Sequence, residues 1–101
     1  MIGTTTDSLM SILPGGWTAF RPVSSREQTL FDQVFTSQYC VGNVHYTPQS
    51  VCTQFIFKAN YRFKCHAVSA DEHEPMEWVA VIEVFQPQKG IPLLVSIQAW
   101  L

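Results

Sequence analysis

The sequence predicts an α+β domain in which one helix packs across an antiparallel sheet of four to five strands. Residues 24–37 form a capped amphipathic segment, residues 60–69 alternate between apolar and polar side chains, and strand-like runs follow at 77–85 and 91–101. Turn residues separate these runs, so each strand can fold back on the one before it. One helix followed by consecutive hairpins is typical of an antiparallel meander that a helix covers on one face.

The helix is predicted from its start signals and from one apolar stripe. Ser24 with Glu27, or Ser25 with Gln28, matches the capping box, in which each side chain bonds the backbone N–H of the other residue. The stripe lies on one side of a helix that runs to about residue 37, and it consists of Leu30, Phe31, Val34 and Phe35. The other side is expected to face water, with Arg26, Glu27, Asp32, Gln33 and Gln38.

Residues 54–63 are predicted to form the hairpin around which the other strands are arranged. Its tip is expected near residues 57–60, where Asn60 suits a turn because its side chain can bond the local backbone. The residues after the tip alternate as in a strand with one buried face. The apolar set is Tyr61, Phe63, Cys65 and Ala67, and the polar set is Arg62, Lys64 and His66. In the preceding strand, 44–54, Pro48 forces a bulge or an edge position.

The chain divides into a flexible N-terminal arm, residues 1–11, and a folded domain, residues 12–101. The arm is polar, rich in threonine and without hydrophobic period. Pro14, Gly15 and Gly16 then form a compliant junction before Trp17 anchors the chain again. This junction is either a simple connector or the hinge of an arm whose apolar residues dock into a partner.

Length and composition exclude several classes of protein. A chain of 101 residues is one domain, and 47% apolar residues with 13 aromatic ones can form a hydrophobic core. A net charge of −2 gives no basic field for nucleic acid, and no apolar run reaches the roughly 20 residues of a membrane span. The N-terminus lacks the basic start of a signal peptide. A cytoplasmic protein is therefore expected, or a secreted one if the N-terminus has been trimmed.

No catalytic, metal or cofactor site is predicted, and the chain is not expected to be an enzyme. The three cysteines, Cys40, Cys52 and Cys65, are odd in number and widely spaced, which favours reduced, buried thiols. Cys65 and His66 are adjacent on a strand and point to opposite faces, so they cannot act as nucleophile and base. The histidines and cysteines lack zinc-site spacing.

The aromatic residues outside the stripe have two interpretations. Trp17, Trp78 and Trp100 are expected to pack in the sheet and core rather than to contact a ligand. Phe55 and Phe57 lie near the predicted hairpin tip. Their side chains are expected either to pack in the core or to contact a partner.

Three segments carry a resemblance to a known family. Pro14-Gly15-Gly16-Trp17 precedes Arg21-Pro22 and a capped helix. Residues 54–61 read Gln-Phe-Ile-Phe-Lys-Ala-Asn-Tyr, and Val84-Phe85-Gln86-Pro87 is followed by a turn and a strand. In this order and spacing they resemble the Pro-Gly-Gly opening, the Gln-Val-Val-Ala-Gly hairpin and the second hairpin of stefins, the single-domain intracellular branch of the cystatin family. The likeness covers about residues 13–101 and implies a cystatin-like fold.

The resemblance also implies a reversible, competitive inhibitor of papain-like cysteine proteases. In that family, an N-terminal arm and two hairpins form a wedge that plugs the protease cleft without being cut. The positions that match the arm are Leu13, Pro14, Gly15 and Gly16. The positions that match the first hairpin are Gln54, Phe55, Ile56, Phe57 and Lys58, and those of the second hairpin are Gln86 and Pro87.

Lys58 stands where the family has glycine, and this difference has two consequences. Glycine permits close backbone approach and unusual φ angles. The alternative function is therefore a cystatin-fold protein-binding module without protease inhibition. Strain at Lys58 would also favour the exchange of hairpin strands between chains, so the protein is expected to be a monomer or a domain-swapped dimer.

Overall fold

The computed structural model of the chain describes residues 12–13, 16–37, 44–55, 59–69 and 73–100. It contains one helix and seven strands in the described residues, in the order β1 Ile12–Leu13, β2 Trp17–Thr18, β3 Arg21–Pro22, α1 Ser25–Ser37, β4 Val44–Phe55, β5 Ala59–Ser69, β6 Glu77–Gln86 and β7 Leu93–Ala99. The predictions for the arm at residues 1–11, and for Gln38 and Cys40, lie outside the described residues.

All described strands form one antiparallel sheet, and the predicted α+β class is confirmed. The strand order is β1-β2-β4-β5-β6-β7, and β3 pairs with β4 beside β2. Strands β4 to β7 form the predicted meander. The three short strands, β1, β2 and β3, each have two residues, so alternation of side chains in the sequence cannot identify them. They extend the sheet beyond the predicted number of strands. This arrangement is consistent with a cystatin-like fold.

The irregularity predicted at Pro48 is confirmed. Pro48 pairs with Cys65 and Ser50 pairs with Lys64, so the register between β4 and β5 shifts at this point. Proline has no backbone N–H to give to the ladder, and a bulge accommodates it without an unmet bond. The last strand is shorter than predicted, because Ile91 and Pro92 precede it and Trp100 follows it.

The core lies between α1 and one face of the sheet. Phe31 and Val34 of the predicted stripe are buried, and Leu30 and Phe35 pack against them partly buried. The Phe31 ring centroid lies 5.1 Å from that of Phe63, in an edge-to-face contact. The sheet contributes Val51, Phe63, Cys65, Ile82 and Val84 to the same cluster. The helix is thus fixed on the face of β5 that carries the apolar set.

The N-terminus of α1 has the predicted capping box, but the expectation that Glu27 faces water is wrong. The Ser24 backbone N–H donates to Glu27 Oε1 at 3.0 Å, and the Glu27 N–H donates to Ser24 Oγ at 3.2 Å. In addition, Arg21 Nη1 and Nη2 donate to Glu27 Oε1 and Oε2 at 2.7 and 2.6 Å. Glu27 is only 7% exposed, because β3 pairs with β4 and brings Arg21 over the end of the helix.

This environment favours the charged form of Glu27. The hydrogen bonds from Arg21 are the largest influence, burial acts against them, and Ser24 adds to them, so that the pKa of Glu27 falls to about 2 from an ordinary value of 4.5. A carboxylate with a lowered pKa stabilises the folded state above the pH at which it titrates in the unfolded chain.

The substitution Glu27→Gln is expected to lower the free energy of unfolding at pH 7 by on the order of 2 kcal/mol, after allowance for the half-exposed Arg21. The difference between the native protein and the variant should narrow as the pH falls from about 4.5 toward about 2, because Glu27 becomes protonated in the native protein. Urea denaturation at a series of pH values measures this difference.

The matched control is Glu77→Gln. Glu77 accepts from His66 at 2.6 Å, but its side chain is 68% exposed, so its loss should change stability by less than about 0.5 kcal/mol. Equal losses for the two variants would show that the Arg21–Glu27 pair is not a special contributor to stability.

Candidate binding rim at one end of the sheet

The predicted site segments meet at one end of the sheet. The Cα partners Trp17, Gln54, Asn60, Phe85 and Leu93 form a continuous row across β2, β4, β5, β6 and β7. In an antiparallel meander, the connections β4–β5 and β6–β7 lie at the same end. The start of β2 joins them there because Trp17 pairs with Gln54. We call this end the rim: Gly16, Gln54, Phe55, Ala59, Asn60 and residues 86–90.

The N-terminal part of the rim is a chain reversal. Leu13 pairs with Trp17 in the antiparallel β1–β2 ladder, so the chain turns back between these two residues. Gly16 has φ of 83° and is exposed. A residue with a Cβ atom adopts this conformation only at an energetic cost. The backbone at position 16 therefore favours glycine, whatever the role of this residue in binding. Pro14 and Gly15, predicted in the same segment, lie outside the described residues.

The first hairpin is in register up to its last described pair, Phe55 with Ala59. One pair earlier, Asn60 Nδ2 donates to Gln54 Oε1 at 3.3 Å across the strands. The interpretation of Asn60 as a turn residue is therefore wrong, since Asn60 belongs to β5 and its amide bonds a neighbouring strand. Ile56, Phe57 and Lys58, and the side chain of Phe55, lie outside the described residues.

The second hairpin is closed by the side chain of Gln86. Its Nε2 donates to the carbonyl oxygens of Pro87 and Gly90 at 3.0 and 3.1 Å. Gly90 has φ of 111°, a left-handed conformation that favours glycine. One amide therefore bridges the two sides of the turn, which favours this turn shape.

A cleft of about 430 Å³ lies between this turn and α1. Its walls include Arg26 and Leu30 of the helix, Tyr61 of β5, and Gln86 and Pro87 of the turn. The cleft gives the rim a recess on the helix side, next to the second hairpin.

Among the rim residues that the structure describes, Lys89 carries a charge and the others do not. The uncharged ones are Gly16, Gln54, Phe55, Ala59, Asn60, Gln86, Pro87, Gln88 and Gly90. Four of the predicted site residues, Gly16, Gln54, Gln86 and Pro87, are brought together here with the backbones of Leu13 and Phe55. Recognition at such a surface depends on shape, backbone groups and neutral amides rather than on charge.

The cysteine chemistry agrees with the sequence-based interpretation for Cys52 and Cys65, which are free and buried. Burial raises the pKa of Cys65 to about 12, and its thiol points to the Phe63 carbonyl oxygen at 3.6 Å. His66 lies on the other face with Glu77, so the two adjacent residues do not form a nucleophile–base pair. Within the described ranges, no three His, Cys, Asp or Glu side chains cluster to hold a metal ion.

The helix-free face of the sheet holds a second cleft that the sequence did not reveal. Its volume is about 440 Å³, and it is lined by Trp17, Phe20, Arg62, Glu83 and Trp100 among others. Trp17 is buried in the sheet as expected, but the expectation of core packing is wrong for Trp100, which is 47% exposed on this face. The feature of the sequence that points to this face is the alternating polar set of β5, Arg62, Lys64 and His66.

No family model matches the chain, and no curated protein matches its sequence. The helix in the described part of the chain is not long and apolar enough to cross a membrane.

The thiols of Cys52 and Cys65 are expected to react slowly with a thiol reagent in the folded protein, because a buried thiol with a raised pKa is neither accessible nor ionised. A Cys40→Ser variant restricts the signal to these two thiols. Titration with a chromogenic disulfide should show two reactive thiols in denaturant and almost none without it. Rapid reaction of either thiol in the folded protein would contradict the burial of that residue.

Proposed function

We propose that the protein is a reversible, competitive inhibitor of papain-like cysteine proteases, which it blocks by inserting the rim into the active-site cleft. The observation that carries this proposal is the row of register partners that brings the N-terminal segment and both hairpins to one end of the sheet. These are the three segments that resemble the inhibitory wedge of stefins.

The rim is suited to this role because much of it is fixed in advance. Gln86 closes the second turn, Gln54 and Asn60 link the first hairpin, and the Arg62 guanidinium lies 4.0 Å from the centre of the Trp17 ring beside the N-terminal segment. A surface that is already ordered loses less conformational entropy on docking than a flexible one.

A hairpin rim also explains how a protease could be blocked without cutting its inhibitor. A turn presents bent backbone, whereas attack on a peptide bond needs the bond aligned with the nucleophile in a near-attack geometry. The uncharged character of the rim suits the same mode, because contacts in a cleft then depend on backbone groups and close packing. Lys58 and Phe57 depart from the small residues that suit close approach, since they stand where the family has glycine and another small residue.

The alternative is a binding module on the same rim that does not inhibit proteases, and Lys58 is the reason to keep it. Close approach of a hairpin tip to an enzyme cleft is easiest for residues without a large side chain. The two functions differ in whether the native sequence raises the KM of a protease.

The native protein is expected to raise the KM of papain for a small peptide substrate and to leave kcat unchanged, because a rim in the cleft competes with substrate. Removal of residues 1–14 should weaken inhibition, since one of the three wedge segments is lost. Lys58→Gly should strengthen it. Steady-state inhibition assays with active-site-titrated papain measure all three.

Glu77→Gln is the matched control, because Glu77 pairs with Val68 at the opposite end of the sheet from the rim. Its inhibition should equal that of the native protein. Inhibition by Lys58→Gly alone would favour the binding module, and absence of inhibition by both proteins would refute the protease proposal.

Gln86→Ala is expected to weaken inhibition by about five- to tenfold while changing the thermal midpoint little, because it removes two hydrogen bonds that order an exposed turn. Glu77→Gln, at the opposite end of the sheet from the rim, is the control and should inhibit as the native protein does. If both variants kept full potency, the second hairpin would have no part in binding.

A further inference from the structure

The cleft on the helix-free face of the sheet is lined by three aromatic rings together with smaller apolar, polar and charged side chains. Residues of this face alternate along the strands with those of the core, so that Arg62 and Glu83 point away from α1 while Phe63 and Ile82 point toward it. In the described part of the chain, no helix covers this face. The cleft is therefore bounded by the sheet below and by side chains from both ends of the chain.

Three aromatic rings are held in place around the cleft. The rings of Phe20 and Trp100 meet edge to face with their centroids 5.8 Å apart. The Trp100 backbone N–H donates to the Val79 carbonyl oxygen at 2.7 Å, which fixes the chain after β7. Trp17 is 8% exposed beneath Arg62. The rings are thus ordered, yet a volume of about 440 Å³ stays open between the walls.

The charges on this face leave one cation without a carboxylate. Arg62 Nε donates to Glu83 Oε1 at 3.0 Å, so that pair is neutral. Lys64 lies two residues along the same face of β5, with its Nζ 4.5 Å from the centre of the Trp100 ring. Within the described residues, Lys64 has no ion-pair partner. The charges of Arg62 and Glu83 in the lining cancel, so Lys64 beside Trp100 is the described cation next to the cleft that has no ion-pair partner, in a protein whose net charge is −2.

We propose that this cleft binds a small organic acid, with its aromatic body against the half-exposed ring of Trp100 and its carboxylate at Lys64, whose Nζ lies over that ring at the margin of the cleft, and at the terminal nitrogens of Arg62. The volume lies in the range of about 300–1,000 Å³ that is typical of small-molecule sites. Aromatic walls with a few polar groups are the usual lining of such sites. A single negative charge on the ligand matches the single excess cation.

This site is independent of the proposed protease inhibition. The protease would contact the hairpin tips at the rim, whereas the organic acid would lie against the strands on one face. Failure of either proposal therefore leaves the other in place.

The three tryptophans provide an internal test by nuclear magnetic resonance of their indole N–H groups. Trp17 and Trp100 line the cleft, whereas Trp78 pairs with Ala67 of the helix-covered face. Titration with indole-3-acetate should shift the signals of Trp17 and Trp100 saturably and leave that of Trp78 in place. Indole-3-acetamide, of nearly the same shape but uncharged, should bind about tenfold more weakly.

Variants of Lys64 test the role of charge. Lys64→Gln should weaken binding of the acid about tenfold without affecting the amide, and Lys64→Arg should restore it. Lys89→Gln removes a charge from the distant β6–β7 turn and should leave binding of the acid unchanged.

Three outcomes would overturn the proposal. The first is the absence of saturable shifts at Trp17 and Trp100. The second is equal affinity for the acid and the amide, which would remove the role of the cations. The third is a shift of the same signals with protein concentration alone, which would assign this face to a second copy of the chain.

Discussion

The alternation of side chains along β5 is the constraint on which both faces of the molecule depend. Phe63 and Cys65 enter the core beneath α1, and Arg62 and Lys64 between and beside them must therefore point the other way. A slip of one residue would bury two cations and expose an aromatic ring. Because β5 lies between β4 and β6 over nearly its full length, its register also fixes which residues of those strands meet at the rim.

The Arg21–Glu27 pair joins the N-terminal segment to this framework. β3 holds Arg21 against β4, and Glu27 holds it against the first turn of α1. The carboxylate thus satisfies the backbone at the helix start and also connects helix and sheet edge. The segment that precedes β3, including Trp17 and Gly16, is therefore followed by a residue that both the sheet and the helix hold in place. This is why one end of the sheet can include the N-terminal segment as well as the two hairpins.

The sequence predicted the features that depend on local patterns. The capping box at Ser24, the bulge at Pro48 and the two faces of β5 all follow from neighbours within a few residues, and all are confirmed. What it missed depends on contacts between distant segments. The residues near Glu27 in the sequence do not indicate that Arg21 will lie over its carboxylate. Arg21 is brought there by the pairing of β3 with β4, which joins distant segments. The positions of Asn60 and Trp100 were likewise decided by neighbouring strands and by Phe20.

The residues of the rim could be predicted from the sequence but its geometry could not, whereas on the helix-free face the polar side of β5 could be predicted but the cleft could not. The rim segments carry recognisable motifs, yet only the register row from Trp17 to Leu93 brings them to one end. The polar residues of β5 looked like an ordinary solvated face, and only the contacts of Trp17 and Trp100 with Arg62 and Lys64 give that face a cleft. The two surfaces also differ physically, since the rim is nearly uncharged and the face carries paired and unpaired ions. Under the two proposals, binding at the rim would depend on preformed shape, whereas binding at the face would depend on charge and be sensitive to salt.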